Sequence, residues 1–531
     1  MDNFRVDRRE LLIGALGLGA LGLVPGLAGC STASGGGASA SAGSASASAS
    51  ASSSGIQPKK GGLLRVGLGG GGTQETADAH FGVLANSDLA RALNLYASLY
   101  ARDPQTLALS PSLAESAEPN VDGSVWTMRL IEGAEFHNGK SVTADDLIFT
   151  VQRIFDKQGS VAAMMPWVDP KTLKKVDART VQFPLKTPTA LFTEPFAMIA
   201  AGVVPVGYDP AKPVGSGPFQ LVSFTPGQET VMKRFENYFG DVWLDELHFV
   251  SFNDDAPRIN ALLSGDIQAT EAIPPGQIEV VKSQGTIQTI ESESGATRFF
   301  SMRVDQAPFD DVRVRQAMRL IAERPQMIQQ SLAGYGQVGN DLFNKYDPDY
   351  RADLVRSQNI EEAKALLASA GKSGLTVELA TAPYIAGIVE ASQVLVEQAK
   401  AAGVTIQLKK MDLPTYFAGY GKWNFSGDFF NANEYFIQVS LNQLPNSTFN
   451  ITHFDDPEYN ALYAKGVAEL DATKRKEIAG AMQQIEFDRG GNLVWTYATV
   501  VDAVANNVQG LVPDKYGLPL TSYGFNRAWL T

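Results

Sequence analysis

Residues 375–411 constrain the fold more than any other part of the chain. "LTVELAT" and "VTIQLKKM" are both strand-like. Between them, "AGIVEASQVLVEQAKAAG" sets Ile388, Ala391, Val394 and Leu395 on one helical face. Gly403 stands where a helix commonly ends in a left-handed glycine. Strand, helix and strand in this order form a βαβ unit, two parallel strands joined by a right-handed crossover. In open α/β sheets ligands gather beyond the carboxyl ends of the strands. Here those ends are residues 381–384 and 411–413.

Other elements follow from local signals. Leu63-Leu64-Arg65-Val66-Gly67-Leu68 reads as a strand. The glycines at 69–72 lack the Lys-Ser/Thr of a phosphate loop and read as a flexible turn. Residues 89–100 predict a helix. A strand is expected around 126–130, and a helix opens at Thr143 with Asp146 three residues on, a capping-box spacing. Leu147, Val151, Ile154 and Phe155 give that helix an apolar face. Two helices at about 457–469 and 472–488 meet at Asp471 or Ala472, and "LVWTYATVVDAVANNV" after them is strand-rich. Trp423, Phe425, Phe429, Phe430, Tyr435 and Phe436 crowd one loop-rich segment.

The amino terminus is of another kind. Residues 11–27 are apolar but number 17, with five glycines and one proline. That is short of the roughly 20 residues a membrane span requires, so 1–29 read as a removable signal. Leu27-Ala28-Gly29-Cys30 resembles the lipobox of bacterial lipoproteins. The resemblance implies cleavage before Cys30 and a diacylglycerol thioether on its sulfur. Asp7-Arg8-Arg9-Glu10-Leu11-Leu12 resembles a twin-arginine export signal without the usual Ser/Thr before the pair, so Sec export stays open. From Ser31 to about Pro58 the chain is almost only Ser, Ala and Gly. It is expected to be a disordered tether reaching roughly 30 Å, so 30–59 form a lipidated cysteine and its leash.

Composition excludes several functions. There are 44 Lys and Arg against 57 Asp and Glu, for a net charge of −13. Removing 1–29 takes three charges of each sign and leaves that balance, which disfavours nucleic acid. Cys30 is the only cysteine, so no disulfide can form within the chain. His80, His137, His248 and His453 are far apart in sequence and make no HExxH motif. No metal site, cofactor or catalytic residue is assigned. The roughly 470 residues after the tether suffice for two or three cores.

A run of blocks spanning about 60–530 resembles the dipeptide/oligopeptide-binding receptors of ABC importers, extracellular solute-binding family 5. They include "PSLAESAEPNVDGSVWTMRLIEGAEFHNGKSVTADDLIFTVQRI", "PVGSGPFQLVSF", "MKRFENYFG", "INALLSGDIQATEAI", "APFDDVRVRQAM" and "DDPEYNALYAKGVAELDATKRKEI". The first carries Leu113-Ala114-Glu115-Ser116, Asp122-Gly123 and Thr143-Ala144-Asp145-Asp146. The resemblance implies a periplasmic-binding-protein-like clam-shell of two α/β lobes with an inserted domain, the cluster C type. Lobe I would be 60–92, 204–297 and 495–531, the inserted domain 93–203, and lobe II 298–494. It implies capture of a peptide or related small solute outside the membrane and delivery to a permease driven by cytoplasmic ATPases. The protein would be a monomer, anchored through Cys30.

Trp423 and Asp428 match the family's Trp and ammonium-binding Asp in type and spacing. Position adds Phe430, Asn431, Tyr435, Tyr384, Tyr96, Thr73 and Gln74 as ligand contacts. Asn431-Ala432-Asn433 stands where the family commonly has Asp-Pro, Ala97 follows Tyr96 in place of Glu, and Arg303 replaces an asparagine. These departures leave open a solute other than an α-peptide. Two alternatives stand beside this reading: a secreted hydrolase using Glu132, Asp145, Asp146 and Glu434, or a solute sensor or chaperone-like binder uncoupled from transport.

Overall fold

The computed structural model describes residues 57–80, 85–158 and 160–531. The leader, Cys30 and nearly all of the tether lie outside them. An eleven-stranded mixed sheet runs through the molecule. Its spine is a pair of long antiparallel strands, Ile287–Met302 and Asn492–Ala505. To one side lie, in order, Ala269–Thr270, Leu63–Gly69, Glu246–Phe252, Glu229–Arg234 and Phe219–Thr225. To the other lie Phe425–Phe430, Thr376–Thr381 and Thr405–Lys410. Each side has its own core, one containing Val66, Leu68, Phe249 and Tyr523, the other Phe300, Val314, Leu379 and Leu395. The result is a clam-shell of two α/β lobes joined through the spine.

The spine loses register where it passes between the lobes. Glu293 pairs with Thr499 but Thr297 with Tyr497, so residues 294–296 face Ala498 alone. Such a bulge bends a strand and disrupts its ladder. Gly295 sits inside it, and a Cβ there would fall 2.1 Å from Asn344 Oδ1. A larger residue would have to displace the Asn344 amide and crowd Ala432 Cβ, 2.9 Å away.

The βαβ unit forms as expected. Thr376–Thr381 and Thr405–Lys410 pair in parallel around helix Ile388–Lys400. Ile388, Ala391, Val394 and Leu395 are buried, each large aliphatic contributing about 1.5–3 kcal/mol of burial. Thr143 precedes helix Ala144–Lys157, and its N–H donates to Asp146 at 2.9 Å. Helices Pro457–Ala468 and Ala472–Arg489 meet at Asp471, whose carboxylate accepts from the N–H groups of Thr473 and Lys474.

Two expectations are corrected. The helix expected at 89–100 is Asn86–Leu95, and Tyr100–Arg102 is a strand. The Leu95 carbonyl accepts from Gly217 N–H and that of Ala97 from Val203 N–H, which draws the chain out of the helix. The loop-rich aromatic segment contains strand Phe425–Phe430, antiparallel to residues 297–302, and helix Tyr435–Asn442. Most of that strand is buried on both faces, so it lacks the alternation that marks a half-exposed strand.

A third body carries a four-stranded antiparallel sheet: Ala114–Pro119, Val125–Leu130, Thr180–Pro184 and Lys174–Lys175. Its core, with Trp126, Phe136, Phe183 and Phe192, is continuous with Tyr435, Phe436, Tyr459 and Met482 of the helices after residue 434. It is therefore welded to those helices. Among the described residues no helix is long and apolar enough to cross a membrane.

Lobe II is also held by a buried ion pair. Arg324 reaches Asp341 at 2.7 Å, with side-chain exposures of 1% and 0%. Its other nitrogens donate to the carbonyls of Val494, Arg319 and Arg356. Removing one partner of such a pair strands a buried charge. Arg324→Met is expected to cost about 3–5 kcal/mol, read as a lowered urea midpoint. An unchanged midpoint would show that Arg356, 3.3 Å from Asp341, suffices as counter-charge.

Candidate ligand-binding site

The site follows from the direction of the strands. In lobe I, Leu63–Gly69 runs parallel to both Glu246–Phe252 and Ala269–Thr270, so their carboxyl ends share one edge. The residues just beyond these ends wall a cleft: Gly69 and Gly70, then 252–255, then 271–275. The opposite wall belongs to lobe II and the spine. It comprises Ile385 and Ala386 past the first βαβ strand, Phe429 and Asn431, Leu332 and Tyr335, and Thr297 and Arg298. The cleft holds about 220 Å³ of water-reachable space. Carboxyl ends of strands from both lobes thus converge on one volume, as open α/β sheets favour. Of the two ends expected to lead there, residues 381–384 stop short of the wall, which takes Ile385 and Ala386 just after them, and residues 411–413 stand outside it.

The two walls differ in charge. Glu271 is buried and held by Gly69 N–H at 2.6 Å, Asn86 Nδ2 at 2.9 Å and Tyr523 O–H at 2.5 Å. Burial pushes its carboxyl above the ordinary range. Arg258 is tied to Asp255 at 2.6 Å, to Thr270 Oγ1 at 2.8 Å and to the Glu271 carbonyl. Across the cleft, Arg298 donates from Nη1 to the Ala386 carbonyl at 2.5 Å. Burial draws its guanidinium down to about 10, still a cation at neutral pH.

Four buried polar atoms on wall residues have no hydrogen-bond partner: Asn86 Oδ1, Thr297 Oγ1, Arg298 Nε and Asn431 Oδ1. An unpartnered buried group costs about 1–3 kcal/mol, more when charged. Native interiors rarely carry such groups without cause. All four belong to residues that wall this one cleft.

Of the contacts expected from sequence, Asn431 stands in this wall. Phe430 lies behind it, stacked on Phe299 with centroids 5.8 Å apart and 7° between planes. Asp428 accepts from Tyr420 O–H at 2.6 Å, Phe429 N–H at 2.8 Å and Tyr384 O–H at 3.4 Å, and burial raises it to about 6. It is therefore satisfied inside lobe II. Tyr384 also donates to the Gly427 carbonyl and stacks on Tyr416. Trp423 donates to the Tyr416 carbonyl at 3.1 Å. Tyr435 is in the core shared with the inserted domain, its hydroxyl 2.9 Å from Glu486. Tyr96 bonds Ala77 O at 2.5 Å and Tyr208 O–H at 2.7 Å. Thr73 and Gln74 are exposed in the turn Gly72–Gln74, off the wall. Cys30 lies outside the described residues. Sequence reasoning missed Asn86, Glu271, Thr297 and Arg298. A signal for Arg298 existed: it is the one charge in the apolar run "ATRFFSM".

The four acidic residues considered for hydrolysis are each otherwise engaged. Asp146 caps its helix, Asp145 pairs with Lys175, Glu132 with Arg179, and Glu434 accepts from Ile437 N–H.

Known proteins share this architecture. The chain is 26% identical over 460 residues to the dipeptide-binding protein of Escherichia coli (strain K12), covering 78% of this chain and 85% of that protein. The solved structure of the ABC transporter substrate-binding protein CtaP from Listeria monocytogenes matches with TM-score 0.78 and 22% identity, over 89% of this chain and all of that one. AgaA of A. tumefaciens R10, solved with agropinic acid, matches with TM-score 0.75 and 24% identity, over 88% and 99%. The family model for bacterial extracellular solute-binding proteins, family 5 middle, matches residues 108–441. Two lobes on a shared spine, a cleft at their strand ends and this match agree with what the sequence blocks led one to expect: the chain belongs to family 5 of the bacterial extracellular solute-binding proteins.

Proposed function

We propose that this protein is the solute receptor of an ABC importer, capturing a small polar solute in the interlobe cleft and passing it unchanged to a permease. The observation that carries the reading is the set of buried, unpartnered polar atoms on a cleft walled by both lobes. A guest that satisfies atoms on both walls binds the closed arrangement better than an open one, and only such a difference can drive closure. We place lobe I at 60–92, 204–297 and 495–531, the inserted domain at 93–203 and lobe II at 298–494. The spine bulge at 294–296 lies beside the boundary between 297 and 298 and serves as the hinge. Cys30 carries the lipid, and the Ser/Ala/Gly tether lets the receptor reach its permease from the outer face of the membrane. The receptor works as a monomer.

Incubation with a dipeptide and tripeptide library separates this function from hydrolysis. A receptor returns every peptide intact and melts at a higher temperature with those it holds, whereas cleaved peptides would mark an enzyme. Cys30→Ser is expected to move the protein from the membrane fraction into the medium or periplasm.

A further inference from the structure

This inference rests on the cleft being a solute site between lobes that meet at residues 297 and 298, and it concerns what holds them shut. Helix Arg324–Leu332 ends in two left-handed residues, Ala333 and Gly334, with φ of 52° and 90°. The turn delivers Tyr335 to the cleft wall. Gly336–Val338, just after it, pair with residues 496–498 of the spine, from the bulge into lobe II. Tyr335 therefore belongs to lobe II, but its side chain crosses to lobe I. There its ring packs against a cluster that includes Ile278, Val281 and Val501.

The hydroxyl ties the two sides together. It donates to Glu279 Oε1 at 2.7 Å and accepts from Lys282 Nζ at 2.8 Å, so one O–H serves as donor and acceptor at once. Both partners stand on helix Ile278–Lys282, whose Ile278 and Val281 are buried in lobe I. Glu291, on the lobe I part of the spine, holds Lys282 at 2.6 Å, and the ammonium lies 5.0 Å from the centroid of the Tyr335 ring. Neither Glu279 nor Lys282 lines the cleft. Moving the lobes apart by about 1 Å at this point exceeds hydrogen-bond reach. The Glu279 side chain is 79% exposed, so water takes the place of the hydroxyl once the lobes part. The contact is then worth what one hydrogen bond exchanged with water is worth.

We propose that Tyr335 is an interlobe latch, a positioning residue that engages Glu279 and Lys282 when the lobes close and thereby sets how tightly the solute is held. The latch acts through the arrangement of the lobes and not through the chemistry of the solute. Affinity scales with the fraction of protein in the binding-competent state, so a contact made only in the closed arrangement strengthens binding. Most of that gain appears as slower release.

The test uses the full protein, dialysed free of solute, and a dilution series of yeast-extract solutes below about 1 kDa. The reading is the extract dose that gives half the maximal rise in melting temperature. Tyr335→Phe, which keeps the ring, and Glu279→Ala should each require about 3–10-fold more extract than wild type. The double variant should require no more than Tyr335→Phe alone, because the two changes break the same contact. Glu279→Gln keeps an acceptor oxygen and should fall between wild type and Glu279→Ala. All empty variants should melt with empty wild type, which a merely structural role for the tyrosine would not allow. Wild-type doses in both single variants would overturn the latch and leave the receptor reading standing. So would a loss confined to Tyr335→Phe, or a double variant near the product of the two singles, since the hydroxyl would then touch the solute itself. No rise in the melting temperature of wild type at any dose would overturn the receptor reading and the latch with it.

Discussion

Ala386→Trp is expected to leave the fold intact and to abolish measurable binding. Ala386 follows the first βαβ strand, is exposed, and lies on the cleft wall. Its carbonyl holds Arg298, a contact that a side-chain change preserves. An indole there fills space the solute needs and separates the two walls. Exposed substitutions outside special backbone positions usually change stability by about 0.5 kcal/mol or less, so the melting temperature of the empty protein should barely move. Affinity for solute eluted from the wild type should fall at least about 100-fold, the equivalent of about 2.7 kcal/mol. Val121→Trp, at a fully exposed position in the inserted domain, is the control and should bind normally. Normal binding in Ala386→Trp would place the solute elsewhere.

Stability is expected to fall as pH rises from about 4.5 to about 7, and Glu486→Gln should flatten that fall. Glu486 is buried where the inserted domain meets the C-terminal helices. Its Oε1 accepts from Tyr435 and Tyr459, and Oε2 has no partner. Burial raises its carboxyl from 4.5 to about 7. Between those values the folded protein keeps a proton that the unfolded chain has released, so stability declines with rising pH across that window. Asp502, raised by burial to about 7, and Asp428 and Asp514, raised to about 6, act in the same sense. The carboxylates held low by arginines, such as Asp311 and Asp456, act oppositely below about pH 4, and His80 and His137, drawn by burial down to about 4, act oppositely within the window but are outnumbered by the raised carboxyls. Glutamine keeps the acceptor for both tyrosines and cannot ionise. At pH 7.5 the variant should exceed wild type by on the order of 2 kcal/mol, and at pH 4.5 the two should melt alike. Melting curves from pH 4 to 8 decide it, and parallel curves would show that Glu486 is not ionising in the fold.

Different parts of this molecule were legible in the sequence for different reasons. The βαβ unit and the helix pair at Asp471 were visible because each buries one face and carries its own end signal. The spine was only half visible. Ile287–Met302 begins with exposed residues alternating with buried ones and ends in a continuous buried run, because it leaves the sheet surface and enters the junction of the lobes. Strand Phe425–Phe430 was hidden because both its faces are covered and it contains Gly427 and Asp428, poor strand formers.

The cleft was the least legible part. Its wall draws on positions as distant as Gly69, Glu271, Arg298, Ala386 and Pro519, which meet only through the order of strands in the sheet. Family-like blocks led to the fold and to the aromatic segment near Asp428. They could not say that tyrosines inside lobe II already satisfy Asp428 while Arg298, on the spine, lines the cleft.

The central claim is that the two lobes hold a dissolved solute between them without changing it. Its most direct test is mass spectrometry of small molecules released by denaturing wild-type and Ala386→Trp protein purified side by side from cells grown in rich medium. One intact solute, close to one per wild-type molecule and missing from the variant, is the predicted result. Equal amounts from both proteins, or only fragments of a larger compound, would contradict the account.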